Sequence, residues 1–214
     1  MKIILENVSK RFKDLEVLQD VNLEFEGGKI YGIVGPNGSG KSVLLKMICG
    51  FYETSGGKIL FNGIDEIEKY GFPQDMRVMI EKPSFISDIS GMDNLKLLAD
   101  IQGKIGEDEI AKTMKLVGLD PYEKKNYSKY SLGMKQKLNI AQVLMENPKI
   151  MILDEPFNAL DEKSSENIRK LFLEEKKKGK LILIATHIKD DINTLCDEVY
   201  KVEDGTIKIE NKRW

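Results

Sequence analysis

The sequence predicts an α/β fold whose core is interrupted by a helical block. Two short apolar runs in the last third of the chain, Lys149–Leu153 and Leu181–Ala185, are typical of strands buried in a parallel sheet. The segment Asp161–Lys178 between them is predicted to be the crossover helix that joins these two strands. The helical block extends from roughly Lys82 to Glu146, where apolar residues recur at helical spacing.

Strands separated by glycine turns are predicted for the front part of the chain. Val17–Phe25 carries apolar residues in a strand pattern, and Gly27-Gly28 then turns the chain into the apolar run Ile30–Val34. Two further strands follow in this part, at Lys58–Phe61 and Arg77–Ile80.

Besides the crossover helix, helices are predicted in two places. One follows the glycine-rich segment 35–40, and the others lie in the helical block, where Gly118 and Pro148 are ordinary signals for the end of a helix. These predicted helices are Lys41–Cys49, Asp93–Gln102, Glu107–Val117 and Met134–Glu146.

A phosphate-binding motif connects the Ile30–Val34 strand to the first helix. Residues 35–42 read G-P-N-G-S-G-K-S, which matches the pattern G-x-x-x-x-G-K-[ST]. Gly38 and Gly40 let the backbone curl so that successive N–H groups form an anion nest, and the helix adds its positive N-terminal end. Lys41 offers a positive charge to the terminal phosphates of a nucleotide, and Ser42 offers a hydroxyl to Mg²⁺.

A chance glycine turn and a dinucleotide-binding loop are the alternatives to this interpretation. The strand before the motif and the helix after it argue against chance. Val43 stands where the third glycine of G-x-G-x-x-G would fall, which argues against a dinucleotide loop. We expect nucleotide phosphates to contact the whole segment, namely Gly35, Pro36, Asn37, Gly38, Ser39, Gly40, Lys41, Ser42 and Val43.

Two strand ends supply candidate catalytic residues. Asp154 and Glu155 follow one buried strand, and the carboxyl ends of such strands are where ligand crevices form in α/β sheets. Asp154 is expected in the Mg²⁺ shell, and Glu155 is expected to orient or deprotonate the attacking water. His187 is the chain's single histidine and follows Leu181–Ala185, so it should face the same crevice and donate to a γ-phosphate oxygen. The alternatives are a surface acidic pair and a structural histidine.

The length and composition of the chain limit the number of domains and the kinds of partner to be expected. With 214 residues, the chain suits one domain with an insertion or two small domains, and its net charge of −2 does not favour nucleic acid as a partner. The basic run 176–180 is expected to be the solvated end of a helix rather than a nucleic-acid patch. Cys49 and Cys196 have no companion ligands, so buried reduced thiols are expected instead of zinc.

Membrane insertion of this chain is not expected. The N-terminal segment lacks the apolar run of a signal sequence, and the longest apolar stretches have four to five residues. A helix that spans a bilayer needs about 20 apolar residues. Any membrane role is therefore expected to come through another chain.

The sequence resembles the ATP-binding subunits of ABC transporters over nearly all of its length. Residues 130–136, Y-S-L-G-M-K-Q, are similar to the signature L-S-G-G-Q of that family, with Ser131 and Gly133 as matches and Gln136 as a further candidate match. Phe12 falls where the family has an aromatic residue that stacks on adenine, and His187 matches its switch histidine. The segment N-A-L-D that ends at Asp161 is similar to the loop after the catalytic glutamate.

Two departures from the family pattern concern the site itself. Val43 stands where a second hydroxyl residue usually follows Ser42, which removes one side-chain contact to phosphate worth about 0.5–1.5 kcal/mol. Glu81 stands where most members have a glutamine that links Mg²⁺ to the helical block and to the transmembrane partner. A glutamate at this position together with the variant signature is a pattern similar to that of the bacitracin-resistance and lantibiotic-immunity branch of the family. The alternative is that Glu81 pairs with Lys82 or another nearby base.

The resemblance implies a P-loop NTPase (RecA-like) core with an N-terminal antiparallel β subdomain and an inserted α-helical subdomain. The whole chain, 1–214, would be one ATP-binding domain, with 1–81 and 147–214 as the core and β subdomain and 82–146 as the helical signature subdomain. The implied cofactors are ATP and Mg²⁺. The implied metal ligands are Ser42, Glu81 and Asp154, and the implied catalytic residues are Lys41, Glu155 and His187.

The implied partners are a transmembrane permease and a second ATP-binding chain. Two copies, or a copy and a close paralogue, would enclose two ATP molecules head to tail, with Ser131 and Gly133 of one chain completing the phosphate site of the other. The chain would lie at the cytoplasmic face of the membrane through its partner, where it would power transport, with peptide antibiotic export or immunity as the suggested role. The rivals are a soluble ABC-type ATPase without a transporter, which usually carries a coiled coil, zinc hook or second cassette, and a non-enzymatic nucleotide sensor.

Overall fold

The structure is a computed structural model that describes residues 1–81 and 85–210, and these residues form two β-sheets flanked by helices. In chain order the elements are β1 (Lys2–Phe12), β2 (Leu15–Glu26), β3 (Ile30–Val34), α1 (Lys41–Ile48), β4 (Gly56–Phe61), α2 (Glu66–Tyr70), β5 (Met76–Met79), α3 (Gly91–Gln102), α4 (Glu107–Leu116), a 3₁₀ turn (Tyr127–Lys129), α5 (Leu132–Leu144), β6 (Ile150–Asp154), α6 (Glu162–Lys177), β7 (Leu181–Ala185), α7 (Lys189–Leu195), β8 (Glu198–Glu203) and β9 (Thr206–Glu210). Every strand and helix predicted from the sequence is present.

The larger sheet has the strand order β5-β6-β7-β3-β8-β9. Its first five strands are parallel, and only β9 runs antiparallel to its neighbour. β6 and β7 are adjacent, with Asp154 opposite Ala185, as their positions in the sequence predicted. The carboxyl ends of β3, β6 and β7 therefore lie side by side at one edge of the sheet.

Hydrophobic cores lie on both faces of this sheet. Side chains alternate between the faces along a strand, so Ile182 and Ile184 join one core while Leu181 and Leu183 join the other. The first core includes α3, α4, α5 and α6, and the second includes α1 and the antiparallel sheet. Burial on both faces explains why β3, β6 and β7 are continuous apolar runs.

The smaller sheet is antiparallel, with the order β2-β1-β4. Its central strand, β1, was not predicted as a strand, because only the run Ile3–Leu5 stands out as apolar in the sequence. Ile3 and Leu5 are buried, Val8 is buried after a shift in the pairing register, and the two flanking strands satisfy the backbone of β1 on both sides. β1 ends at Phe12, which pairs with Leu15 across a tight turn.

The helical block contains α3, α4, the 3₁₀ turn and α5 in the positions expected from the hydrophobic spacing. Hydroxyl caps start two of these helices. Ser90 Oγ accepts from the N–H of Asp93 at 3.1 Å, and Ser131 Oγ accepts from the N–H of Met134 at 3.2 Å. The subdomain bounds at 82 and 146 stay a prediction, and residues 82–84 lie outside the described residues.

Four short elements were missed in the sequence: α2, α7, β8 and β9. Each has seven residues or fewer, which is too short for hydrophobic periodicity to be decisive. α7 and β8 depend on tertiary contacts, since Asp191 and Val199 are completely buried. Among the described residues, no helix is long and apolar enough to cross a bilayer.

Candidate nucleotide-binding and catalytic site

The phosphate loop lies between β3 and α1, at the carboxyl edge of the parallel sheet. Gly38 and Gly40 have φ values of 81° and 105°, in the left-handed region that glycine tolerates best. α1 begins at Lys41, and no side chain caps its N-terminus. The first N–H groups of α1 therefore remain available to an anion.

Gly35 anchors this loop to the neighbouring strand. Its φ is 144°, and a Cβ atom built on it would overlap the carbonyl oxygen of Val202 in β8 and press on Ser39 Oγ. Any larger residue at position 35 would force the loop away from the sheet. The first glycine of the motif is thus required for packing, whereas Gly38 has open space around it.

Lys41 and Ser42 are both held at the opening of the loop. Lys41 Nζ donates to the carbonyl oxygens of Gly35 and Pro36, at 2.8 and 2.9 Å. Ser42 Oγ donates to Asp154 Oδ2 at 3.0 Å, so the hydroxyl on α1 and the carboxylate at the end of β6 meet directly. Two of the three groups that were predicted to hold Mg²⁺ are thus in contact, although they lie far apart in the sequence.

The chemistry of these oxygens fits Mg²⁺. Burial holds the pKa of the Asp154 carboxyl above its usual value, although the hydrogen bond from Ser42 and the charge of Lys41 act in the opposite direction. No group of three or more His, Cys, Asp or Glu side chains that could hold a metal occurs among the described residues. Mg²⁺ is typically bound by one or two protein oxygens together with substrate phosphates, so this sparse donor set suits it.

Glu155 and His187 form a pair at the ends of β6 and β7. Glu155 Oε1 lies 2.7 Å from His187 Nδ1, and Glu155 Oε2 is buried without a hydrogen-bond partner among the described residues. The backbone of Glu155 has a φ of 50°, and its N–H donates to the carbonyl oxygen of Ala185 at 2.8 Å. The strand end is thus turned so that one carboxylate oxygen is oriented by histidine and the other has no partner.

Gln136 is a site residue that the sequence indicates only through its match to the signature segment 130–136. Its Nε2 donates to the carbonyl oxygens of Glu155 and Pro156, at 3.1 and 2.9 Å. This amide belongs to α5 and fixes the backbone that carries Glu155. The signal in the sequence was its place at the end of the signature segment, and only the fold reveals its target.

Phe12 lies where the antiparallel sheet borders the phosphate loop. Its ring is 40% exposed, and its centroid is 5.4 Å from that of Tyr52 in an edge-to-face arrangement. The exposed part is available for stacking. A cleft of about 510 Å³, within the range of small-ligand sites, is lined by Phe12, Val17, Asn37, Gly38, Gly40, Lys41, Ser42, Val43, Asp154 and Glu155.

Six predicted ligands of the nucleotide do not line this cleft, namely Gly35, Pro36 and Ser39 within the phosphate loop and Ser131, Gly133 and Asp161 outside it. Ser131 is the exposed N-cap of α5, and Gly133 lies against the carbonyl oxygen of Ala159. Asp161 is the N-cap of α6, where its carboxylate accepts from the N–H and the hydroxyl of Ser164, and these bonds lower its pKa. Within one chain these residues have structural contacts of their own, and their roles toward nucleotide stay predictions.

Glu81 lies near Asp154, a predicted metal ligand, but its carboxylate pairs with a lysine. It has a φ of 65°, its side chain is mostly exposed, and its carboxylate forms an ion pair with Lys46 of α1. It lines a small pocket together with Asp154 and Glu155. The alternative of a pair with Lys82 lies outside the described residues.

Comparison with known proteins identifies the family. The model of the ABC transporter family matches residues 18–158, which include the phosphate loop, the signature segment and the carboxylate pair. The chain belongs to the ABC transporter ATP-binding family. It is therefore an ATP-binding subunit and an ABC-type ATPase, as the resemblance implied.

The similar curated proteins include ATP-binding proteins of lantibiotic and bacitracin transport. A Bacillus subtilis ABC transporter ATP-binding protein, YybJ, is 37% identical over 96% of this chain and 94% of its own length. The lantibiotic transport ATP-binding protein SrtF of Streptococcus pyogenes is 32% identical, covering 97% and 90%. The bacitracin transport ATP-binding protein BcrA of Enterococcus faecalis is 33% identical, covering 94% and 66%. The predicted similarity to the bacitracin and lantibiotic branch is confirmed.

Solved structures confirm the predicted fold class. An ATP-binding subunit of an ABC transporter matches with a TM-score of 0.87 and 27% identity, covering 97% of this chain and 88% of the other. A bacterial ABC transporter cassette, MJ0796, described as dimeric, matches with a TM-score of 0.86 and 24% identity, covering 99% of both.

Replacing Gln136 with leucine tests whether its side chain holds the backbone of Glu155 in position. The change removes two hydrogen bonds worth about 0.5–1.5 kcal/mol each, so Gln136→Leu should lower ATP turnover about 5- to 150-fold. ATP affinity should change little, because Gln136 does not line the phosphate cleft. Steady-state hydrolysis and ATP titration measure the two effects. Gln142→Leu on the same helix is the control, since Gln142 bonds Val78 instead; equal losses in both variants would contradict the bracing role.

Replacing Phe12 tests the position of the nucleotide base. Stacking of a base on an aromatic ring contributes about 1–3 kcal/mol, so Phe12→Ala should weaken ATP binding about 5- to 150-fold. Phe12→Tyr should be nearly neutral, because it keeps the ring. A lower melting temperature with unchanged ATP affinity would instead make Phe12 a purely structural contact of Tyr52.

Proposed function

We propose that this chain hydrolyses Mg-ATP as one subunit of a transporter and that the movement of the site drives a separate transmembrane permease. The observation that carries the proposal is the meeting of three strand ends at one cleft. They bring together the phosphate loop, the Ser42–Asp154 contact and the Glu155–His187 pair. These are a phosphate cradle, a metal site and a water activator in one place.

Binding of the nucleotide would use the loop and the helix end. The N–H groups of residues 38–43 and the positive end of α1 would hold the phosphates, and Lys41 would turn from the carbonyls of Gly35 and Pro36 to the terminal phosphates. Ser42 and Asp154 would hold Mg²⁺, which would draw charge from the phosphate oxygens when bound. Phe12 would stack on the adenine.

Hydrolysis would depend on the Glu155–His187 pair. Glu155 lines the cleft, so its carboxylate would accept the proton of a water whose oxygen attacks the γ-phosphorus. The bond from that phosphorus to the bridging oxygen would break, and ADP would leave with the oxygen. His187 is 68% exposed, which leaves its second ring nitrogen available to a γ-phosphate oxygen.

A second ATP-binding chain would complete each site. Ser131 and Gly133 stand outside the cleft of their own chain, and the start of α5 is exposed, so this helix end can meet a phosphate bound to another copy. The ABC transporter cassette MJ0796, which has the same fold and is described as dimeric, supports this arrangement. Asp161 would lie near the contact between the two chains.

The permease would dock in an apolar groove beside the site. Phe51, Phe72 and Ile101 are 59%, 58% and 78% exposed and line this groove, which β5 borders just before Glu81. An apolar segment of a membrane protein fits such a surface. The chain would then lie at the cytoplasmic face of the membrane. Peptide antibiotics are the proposed cargo, from the similarity to SrtF and BcrA, and nucleic acid is not a proposed partner.

Glu155→Gln tests the catalytic assignment. The amide cannot accept the proton of the water, so turnover should fall about 10²- to 10⁴-fold while ATP affinity is kept. Because ATP is not consumed, it should hold two chains together as a dimer visible by size exclusion. Turnover like that of the wild type would refute the role of Glu155.

Purification from detergent-solubilised membranes tests the permease. A membrane protein should copurify with the tagged wild-type chain and with Leu116→Asp, whose exposed leucine lies on α4 outside the groove. It should be lost with Ile101→Asp, because a charge in the groove opposes apolar docking. If the wild-type chain retains no membrane protein, the soluble, non-transport ATPase becomes the better interpretation.

A further inference from the structure

Lys46 stands one helical turn after Ser42 on the same face of α1. Its Nζ pairs with Glu81 Oε1, and its side chain is only 17% exposed, whereas that of Glu81 is 69% exposed. The helix that carries the phosphate-binding Lys41 and Ser42 thus also carries the cation that holds Glu81.

Packing fixes the Lys46 side chain from the other side. Its Nζ lies 5.2 Å from the centroid of the Tyr52 ring, on which Phe12 also packs. The carbonyl oxygen of Lys46 accepts from the N–H groups of Phe51 and Tyr52, at 2.8 and 3.2 Å. The ammonium group is therefore held between an aromatic ring and the Glu81 carboxylate.

Glu81 brings a charge that the site must offset. It lines the same small pocket as Asp154 and Glu155, and those two carboxylates also line the cleft where an anionic triphosphate would bind. Like charges at short range oppose one another, the more so where water is partly excluded. Among residues 1–81 and 85–210, Lys46 is the cation that pairs with Glu81.

We propose that Lys46 is a positioning residue: it neutralises Glu81 and keeps its carboxylate beside Asp154, so that a glutamate at position 81 is compatible with binding of Mg-ATP. The inference rests on the proposed function of this site. The competing interpretation is an ordinary surface ion pair, which would have little effect on nucleotide.

The test is a double-mutant cycle on nucleotide binding. The variants are Glu81→Gln, Lys46→Met and the two combined, with ATP titrated calorimetrically at several Mg²⁺ concentrations and in EDTA. Methionine keeps much of the apolar stem of Lys46, and Lys46→Arg keeps the charge and serves as the rescue variant. Lys96→Met, which breaks the surface pair of Lys96 with Glu107, is the matched control.

Lys46→Met should weaken Mg-ATP binding at least about tenfold, because it leaves Glu81 uncompensated beside the triphosphate. In the Glu81→Gln background the same change should cost less than about twofold, and this difference is within the range of measured pair couplings. Glu81→Gln alone should bind ATP more tightly in EDTA and depend less on Mg²⁺. Lys46→Arg and Lys96→Met should bind like the wild type.

Equal losses from Lys46→Met in both backgrounds would overturn the inference, because the effect of Lys46 would then not pass through Glu81. Parallel binding curves for wild type and Glu81→Gln, with and without Mg²⁺, would also overturn it. Failure of the wild-type chain itself to bind Mg-ATP would instead refute the proposed function. If Lys46→Met does not fold, the ATP affinity of Lys46→Arg decides the question. An affinity like that of the wild type supports the role of the positive charge, and a weaker affinity overturns the inference.

Discussion

The strands β3, β7 and β6 pack side by side with both faces buried, and the candidate site depends on that arrangement. Because these strands are parallel, their carboxyl ends meet at one edge, where the backbone leaves the sheet and side chains become accessible. One strand end begins the phosphate loop, one carries Asp154 and Glu155, and one leads to His187. Residues more than one hundred positions apart are therefore brought into contact, as the bond from Ser42 to Asp154 shows.

The end of β6 combines this arrangement with local strain. Glu155 has a positive φ, which costs a residue other than glycine about 1–3 kcal/mol unless its surroundings hold it. Two contacts hold it here: its N–H bonds Ala185, and Gln136 bonds its carbonyl oxygen. Since Gln136 belongs to α5, a shift of the helical block would directly move the backbone of Glu155, the proposed catalytic carboxylate. This is a physical route by which the site and the rest of a transporter could be coupled.

The sequence was sufficient for those parts of the molecule that follow from local pattern. The buried strands could be predicted because apolar runs of five residues have few other uses, and the phosphate loop because its glycines permit a backbone that few other residues allow. β1 was missed since its buried residues Ile3, Leu5 and Val8 do not alternate regularly, and the two strands that pair with it are brought beside it only by the tertiary fold. The bonds of Gln136 and the Lys46–Glu81 pair could not be predicted, because each joins segments whose proximity only the tertiary fold creates.

The central claim is that each nucleotide site combines the phosphate loop of one chain with the signature segment of another. Complementation tests this claim most directly, with Lys41→Ala disabling the phosphate loop in one chain and Ser131→Arg blocking the signature in the other. Each variant alone should hydrolyse ATP poorly, whereas mixed dimers contain one site in which both parts are intact. The account predicts that an equimolar mixture regains turnover well above the mean of the two variants. A mixture that stays at that mean, although mixed dimers form, would contradict it.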